Sequence, residues 1–279
     1  MKLARPDIFH PRIVLAGSRR YPDSDGDDAG LTEALRHRGL HARWLPWDDP
    51  QIDDAHLVIL RATGDVSTGL DEFLTWTHRV ANLLNPADVV AWNIRCGYLD
   101  DLVNRGVPVV PGSVCAPGSP VALPDAGPVF VGPAIGSGRR RFGDRRAAAA
   151  HVARCHEAGR SVLVQAGGSA PRTVLIFLGG KPSHAFTEHA DGLRQGELDF
   201  ELWDAGAAAL AAAAGPAELL YAGVHLIGDR VLELQLVDPS LGWQHLDLGT
   251  RERAQREFAV AVESACERLG LGPLSRRRP

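Results

Sequence analysis

Three stretches of the sequence place side chains where they could do chemistry. The first is VVAWNIRCGYLDDL, residues 89–102, in which Cys96 falls on the apolar stripe of an amphipathic helix. That thiol has three readings: a small buried filler, the relic of a lost charge, or a nucleophile. The nucleophile needs a base or positive charge beside it to lower its pKa, and His225 is the candidate base. The second stretch is GSGRRR, residues 136–141. Gly136, Ser137 and Gly138 would let backbone N–H groups approach an anion, with Arg139, Arg140 and Arg141 binding phosphate as forks. A single G-x-G is a weak signal, and a mobile lid hairpin with a solvated basic tip is the competing reading. The third stretch is HLIGDRVLELQ, residues 225–235. His225, Glu233 and Gln235 could hold a divalent metal softer than magnesium; the alternative is a strand histidine satisfied by a neighbour. His184 and His189 lack a standard metal spacing and read as surface or hairpin residues.

These residues need elements to position them. RIVLAG, HARWLPW and AHLVILRAT read as strands, with a helix over DDAGLTEALRHRGL between the first two, so the first ~65 residues form an open α/β lobe. GLDEFLTWTHRVANLL, residues 69–84, continues as one amphipathic helix. Asn85 as cap and Pro86 as first helical residue open the next. Val89, Trp92, Cys96, Leu99 and Val103 keep helical spacing, which predicts one helix over 85–105 with Trp92, Cys96 and Leu99 inward. Residues 112–128, rich in Gly, Pro, Ser and Ala, read as a linker. After it come a strand (PVFVGPA), the glycine loop, a helix (DRRAAAAHVARCHEAG) and a strand (SVLVQAG). A hairpin about GGKP, an alanine-rich helix, a hairpin turning at Gly228-Asp229 and a closing helix complete the chain, with GPLSRRRP as a frayed tail. The domains expected are 1–84, an N-terminal α/β lobe; 85–190, a helix, linker and small lobe; and 191–279, a C-terminal lobe.

Composition narrows the partners. The chain has 279 residues, 45% hydrophobic and 23% charged, with a formal net charge of −4. Nothing in that balance calls for nucleic acid or a membrane surface, and no run nears the ~18 apolar residues of a span. The four cysteines are scattered, so neither disulfides nor zinc are indicated. The opening MKLARPDIFHPRIVLAG lacks a signal-peptide pattern, and a cytoplasmic setting is expected. Lys2 and Lys181 are the only lysines; all other basic residues besides histidine are arginine.

In order along the chain, PDSDGDDAGLTEALRHRGLHARWLPWDDP, VILRATGDV, LLNPADVVAWNIRCGYLDDLVNRGVPVVP, FLGGKPSHAF and YAGVHLIGDRVLELQLVDPSLGW resemble the ATP-grasp fold. The likeness is to ligases related to ribosomal-S6-glutamate ligase, and within them to the cyclo-ligases of cycloserine-type antibiotic assembly. The resemblance implies two lobes clamping ATP and magnesium, a carboxylate phosphorylated by ATP, and an amine displacing the acyl phosphate. With that clamp in view, the cofactor-binding candidates are Gly136, Ser137, Gly138, Arg139, Arg140 and Gln165; the resemblance leaves Glu233 and, in weakened form, Gln235 as metal ligands. It also exposes departures. Cys96 and Gly132 stand where the family has phosphate-holding lysines, and Pro171-Arg172 replaces its Gly-Glu. Gly223 replaces an arginine, and His225 a metal-binding aspartate. One carboxylate, one amide and one imidazole make a poor magnesium site. Arginine bias explains Lys→Arg but not loss of charge. The charge count therefore favours a scaffold with an eroded ATP and magnesium site: a pseudoenzyme, or a repurposed ATP-independent enzyme of specialised metabolism, with Cys96 and His225 as catalytic candidates. The alternative is an active ATP-dependent carboxylate–amine ligase or cyclo-ligase, in which Arg139, Arg140 or Arg141 replaces the lost lysines. A small-molecule ligand is expected either way, and a homodimer is left open.

Overall fold

The computed structural model describes residues 9–19, 28–64, 66–214 and 218–272. Its first lobe contains β1 (Ile13–Gly17), α1 (Leu31–His37), β2 (Ala42–Pro46), β3 (Leu57–Leu60), α2 (Leu70–Arg79) and β4 (Leu83–Leu84). The strands form a parallel sheet ordered β2-β1-β3-β4. β1 and β3 are unbroken apolar runs because both sheet faces are covered. Ile13, Leu15 and Ile59 join Leu31, Leu35 and Phe258 on one face. Val14, Val58 and Leu60 join Phe73, Trp76 and Val90 on the other. The single helix expected over 69–84 stops at Arg79. Leu83 and Leu84 instead extend the sheet as β4 against Val58 and Ile59.

Two short helices follow, α3 (Ala87–Asn93) and α4 (Tyr98–Asn104), where one was expected. The apolar stripe continues across both, so periodicity does not register the break. At the break, backbone groups find partners outside the helix: Cys96 N donates to Ala134 O at 2.9 Å, and Gly136 N to Ile94 O at 2.7 Å. Asn85 does not cap α3. Its buried amide donates to Tyr221 O and Leu236 O and accepts from Leu220 N, fastening the first lobe to the last.

The small lobe contains β5 (Gly112–Cys115), β6 (Val129–Pro133), β7 (Arg140–Phe142), α5 (Arg145–Glu157) and β8 (Val162–Ala166). Its antiparallel sheet is ordered β5-β8-β6-β7. β5 corrects the reading of 112–128 as all linker: the edge of β8 supplies ladder partners that local composition does not reveal. Asp144 caps α5 by accepting from Arg146 N.

A five-stranded antiparallel sheet, ordered β11-β10-β9-β12-β13, forms the rest. It contains β9 (Arg172–Leu178), β10 (Lys181–His189), β11 (Gly192–Gln195), β12 (Tyr221–Ile227) and β13 (Arg230–Gln235), with α6 (Phe200–Ala214) inserted. The expected division at residue 190 falls inside this sheet, between β10 and β11. α6 and α4 pack on one face through Leu210, Tyr98 and Leu99. The closing helix α7 (Leu248–Arg268) packs on the other and reaches α1. His184, read as surface or hairpin, is buried, with Nε2 donating to Leu241 O at 2.7 Å. The tail from residue 273 lies outside the described residues. No described helix is long and apolar enough to cross a membrane.

Candidate functional site

β6 ends at Gly132-Pro133, and the chain turns through the glycine loop before β7. Gly136 and Gly138 hold φ of +91° and +101°, a left-handed backbone that disfavours other residues. The turn folds inward. Arg139, expected on a solvated tip, is 3% exposed. Its Nε donates to Gln165 Oε1 at 3.2 Å and its Nη1 to Pro133 O at 3.1 Å, and Nη1 lies 3.4 Å from Glu233 Oε1. Gln165 is fixed by Nε2 bonds to Val110 O and Leu232 O.

The space over Gly132 explains this inward turn. A Cβ there would sit 2.7 Å from Arg139 Nη1, 2.8 Å from its Cδ and 2.7 Å from Gly138 O. Arg139 thus occupies the volume that any side chain on residue 132 would need. The guanidinium thus reaches the surface of β6 at Gly132 from the next turn.

Glu233 faces this guanidinium from β13. It accepts from Gly138 N at 2.9 Å and from Gln235 Nε2 at 3.0 Å. Burial pushes its carboxyl pKa up. Arg139 and the two hydrogen bonds outweigh burial and hold it below the ordinary range. His225 Nδ1 lies 3.6 Å from Glu233 Oε2, beyond a hydrogen bond. Burial lowers His225 to about 4, against the pull of Glu233, so the ring is neutral near pH 7. His225 is therefore not satisfied by a neighbour through Nδ1, as one reading held. Four buried polar atoms without a partner gather here: Arg139 Nη2, Arg172 Nε, Glu188 Oε2 and His225 Nδ1. Arg172 also donates to Arg139 O and Glu188 Oε1.

The remaining sequence candidates divide. Gly136 and Ser137 line a cavity of about 760 Å³ between the first lobe, the glycine loop and the end of β13. Gln235 lines it too, joining it to Glu233. Arg140 is exposed over the Phe142 ring and takes no part. Cys96 is half-buried, and burial raises its thiol pKa while Arg139 partly offsets this. The charges acting on it are those of Arg139 and Asp100, and no hydrogen bond joins it to His225, so the pairing needed for a nucleophile is not formed. Among the described residues no group of three or more His, Cys, Asp and Glu could hold a metal. Glu233, 1% exposed, and Gln235, the residues expected to hold metal, are engaged with protein partners: Gln235 Nε2 donates to Glu233 Oε2, and Gly138 N and Arg139 take Oε1. Sequence reasoning missed Thr63 and Asp238, joined at the cavity wall by two hydrogen bonds, from Thr63 N and Oγ1 to Asp238 Oδ2; their signal lay in the RATGDV and VDPS segments, which carried no recognised charge pattern.

Comparison with known proteins supplies the frame. Residues 13–85 match the family described as D-cycloserine synthetase DcsG, N-terminal domain. The cycloserine biosynthesis protein DcsG of Streptomyces lavendulae is 30% identical over 276 residues, covering 83% of this chain and 92% of that protein. The crystal structure of D-cycloserine synthetase DcsG superposes with a TM-score of 0.72 at 28% identity, over 92% of this chain and 99% of that one. A D-alanine–D-alanine ligase from Bacillus anthracis, complexed with ATP, shares the fold at TM-score 0.64 and 13% identity, over 93% and 98% of the two chains.

Proposed function

The chain belongs to the D-cycloserine synthetase DcsG family of ATP-grasp proteins, and on that premise we propose that it is an ATP-dependent ligase whose nucleotide cleft is rebuilt around Arg139. A substrate carboxylate oxygen attacks the γ-phosphorus of ATP; the bond to the β-phosphate oxygen breaks and ADP leaves. An amine, on the same molecule or another, attacks the acyl carbon. The C–O bond to phosphate breaks, inorganic phosphate departs, the nitrogen loses a proton, and an amide forms.

Arg139 carries this reading. Its side chain is 1% exposed, and Nη2 has no partner. Leaving a buried donor unsatisfied costs about 1–3 kcal/mol unless something arrives to accept from it. A phosphate oxygen is an apt acceptor for a guanidinium fork. Arg139 lies over Gly132, at the position to which the family resemblance assigns a phosphate-holding lysine. Gly138 N–H, on the same turn, donates to Glu233 Oε1 at 2.9 Å and holds that carboxylate beside the guanidinium. Glu233 and Gln235 would hold magnesium together with nucleotide phosphates, and the ion would neutralise charge on the transferring group. Arg139 Nη1 lies 3.4 Å from Glu233 Oε1, so the phosphate-binding cation and the metal-binding carboxylate would sit side by side.

The charge count along the sequence favoured a scaffold that has given up ATP. The full-length likeness to a synthetase does not support a pseudoenzyme, and a guanidinium supplied from the loop accounts for one of the two missing lysines. The other position carries the uncharged Cys96, so nucleotide affinity should be weaker than with two such contacts by about 10- to 100-fold. Calorimetric titration with Mg-ADP tests the reading: saturable binding that Arg139→Ala weakens by about 10- to 100-fold supports it, and no binding at millimolar nucleotide rejects it.

A further inference from the structure

Arg139 is the last residue of the glycine turn before β7, and the five-stranded sheet pins the turn there at two points. Glu233 on β13 accepts from Gly138 N at 2.9 Å. Arg172, the first residue of β9, donates from Nη1 to Arg139 O at 3.1 Å. These two bonds bracket Gly138 and Arg139, so they set the direction in which the Arg139 side chain leaves the backbone. The turn needs such anchors. Gly136 and Gly138, at φ of +91° and +101°, give it a freedom that no Cβ restricts.

Arg172 is itself aimed. β9 and β10 are antiparallel with Thr173 opposite Thr187, and the next residues along are Arg172 and Glu188. Arg172 Nη2 donates to Glu188 Oε1 at 3.0 Å, the two side chains being 15% and 23% exposed. A sheltered cross-strand ion pair narrows the rotamers open to the guanidinium and turns its other arm to the loop. The residue type is decisive. Pro171-Arg172 stands where the resemblance has Gly-Glu, and a carboxylate cannot donate to a carbonyl. Arg172 and Arg139 thus work as a unit, one holding the backbone of the other.

We propose that Arg172, oriented by Glu188, is a positioning residue for phosphate binding: it latches the Arg139 carbonyl so that the Arg139 guanidinium stays over Gly132. The latch deepens the ligase reading and rests on it for the effect on nucleotide, whereas its effect on the loop does not need nucleotide.

Two measurements on the full chain test it. The first is hydrogen exchange without nucleotide. Arg172→Ala should speed exchange across residues 134–139, the Gly138 amide included, by about tenfold, and leave β8 and β12 as protected as before. Glu188→Ala, which touches neither the loop nor Arg139, should act in the same direction, and it keeps the test open if Arg172→Ala does not fold. Unchanged loop exchange overturns the proposal, as does a rise spread equally over β8 and β12, the mark of a merely structural role. The second is Mg-ADP affinity in a double-mutant cycle, followed by phosphorus NMR to register millimolar binding. Arg172→Ala should weaken binding about tenfold beside Arg139 and less than about twofold in Arg139→Ala, because there is no guanidinium left to position. Losses that add in the double variant overturn the proposal and make Arg172 a direct phosphate contact. Faster loop exchange in a protein that binds no Mg-ADP would defeat the ligase reading and leave the latch standing. Nucleotide binding with an unaltered loop would do the reverse.

Discussion

Arg139→Ala reports on the centre of the cleft in two ways. The substitution removes a guanidinium from beside Glu233, whose carboxylate keeps only the bonds from Gly138 N and Gln235 Nε2. Breaking a buried ion pair costs about 3–5 kcal/mol, because the remaining charge is uncompensated. Losing the unpartnered Nη2 returns about 1–3 kcal/mol. The net destabilisation near pH 7 should therefore be about 2 kcal/mol. Its pH dependence is the sharper test. In the wild type the folded Glu233 pKa is depressed, so this group's stabilisation is present above the unfolded value of about 4.3 and is lost as pH falls through the folded value. Without Arg139, burial dominates and the folded pKa rises above the unfolded one. The variant's contribution is then intact in acid and is lost as pH rises. The stability gap between the two proteins should widen from pH 4 to pH 7, measured by urea denaturation at several pH values. A gap that stays constant over that range would refute the coupling of Arg139 to Glu233.

The other predictions concern single side chains. Cys96 should react with iodoacetamide at pH 7.4 more slowly than a free cysteine, because burial raises its pKa, and Cys96→Ser should leave Mg-ADP affinity unchanged; rapid selective alkylation in a labelling time course would revive the nucleophile. Gly132→Lys should not rescue nucleotide binding. It should instead lower the melting temperature, by an amount equivalent to about 1–3 kcal/mol, since the new side chain meets Arg139 and Gly138 O at under 3 Å. His225, with its pKa lowered to about 4, should stay neutral from pH 8 down to 5 in an NMR titration; because the unfolded ring binds a proton first, its contribution makes stability rise with pH between about 4 and 6.5, and His225→Gln should flatten that rise.

The fold was largely readable because its strands and helices obey local rules. β1 and β3 are apolar runs buried on both faces, and the β9–β10 and β12–β13 hairpins turn where paired glycines or Gly-Asp permit. Elements set by distant partners were not readable. The break at Ile94–Gly97 exists because Ala134 and Gly136 exchange hydrogen bonds with it, and helical periodicity carries no trace of that. β5 exists because β8 offers an edge. The same limit governs the site. Glu233, Gln235, Gln165 and Arg139 were picked out and do converge. That Arg139, of the three loop arginines offered as replacements for the lost lysines, lies over residue 132 was not legible, because the inward turn of the glycine loop depends on contacts with Glu233, Gln165 and Pro133. Asn85 misled for a related reason: its position suits a helix cap, yet three backbone groups from other segments use its amide.

The most direct test of a working nucleotide cleft built on Arg139 is the binding of Mg-ATP to the wild-type chain, followed by calorimetry beside Arg139→Ala and Arg139→Lys. The account predicts saturable binding at sub-millimolar nucleotide, loss of about 10- to 100-fold in affinity with alanine, and partial retention with lysine, which keeps the charge without the fork. Wild-type binding that is absent, or that is indifferent to both substitutions, would contradict it.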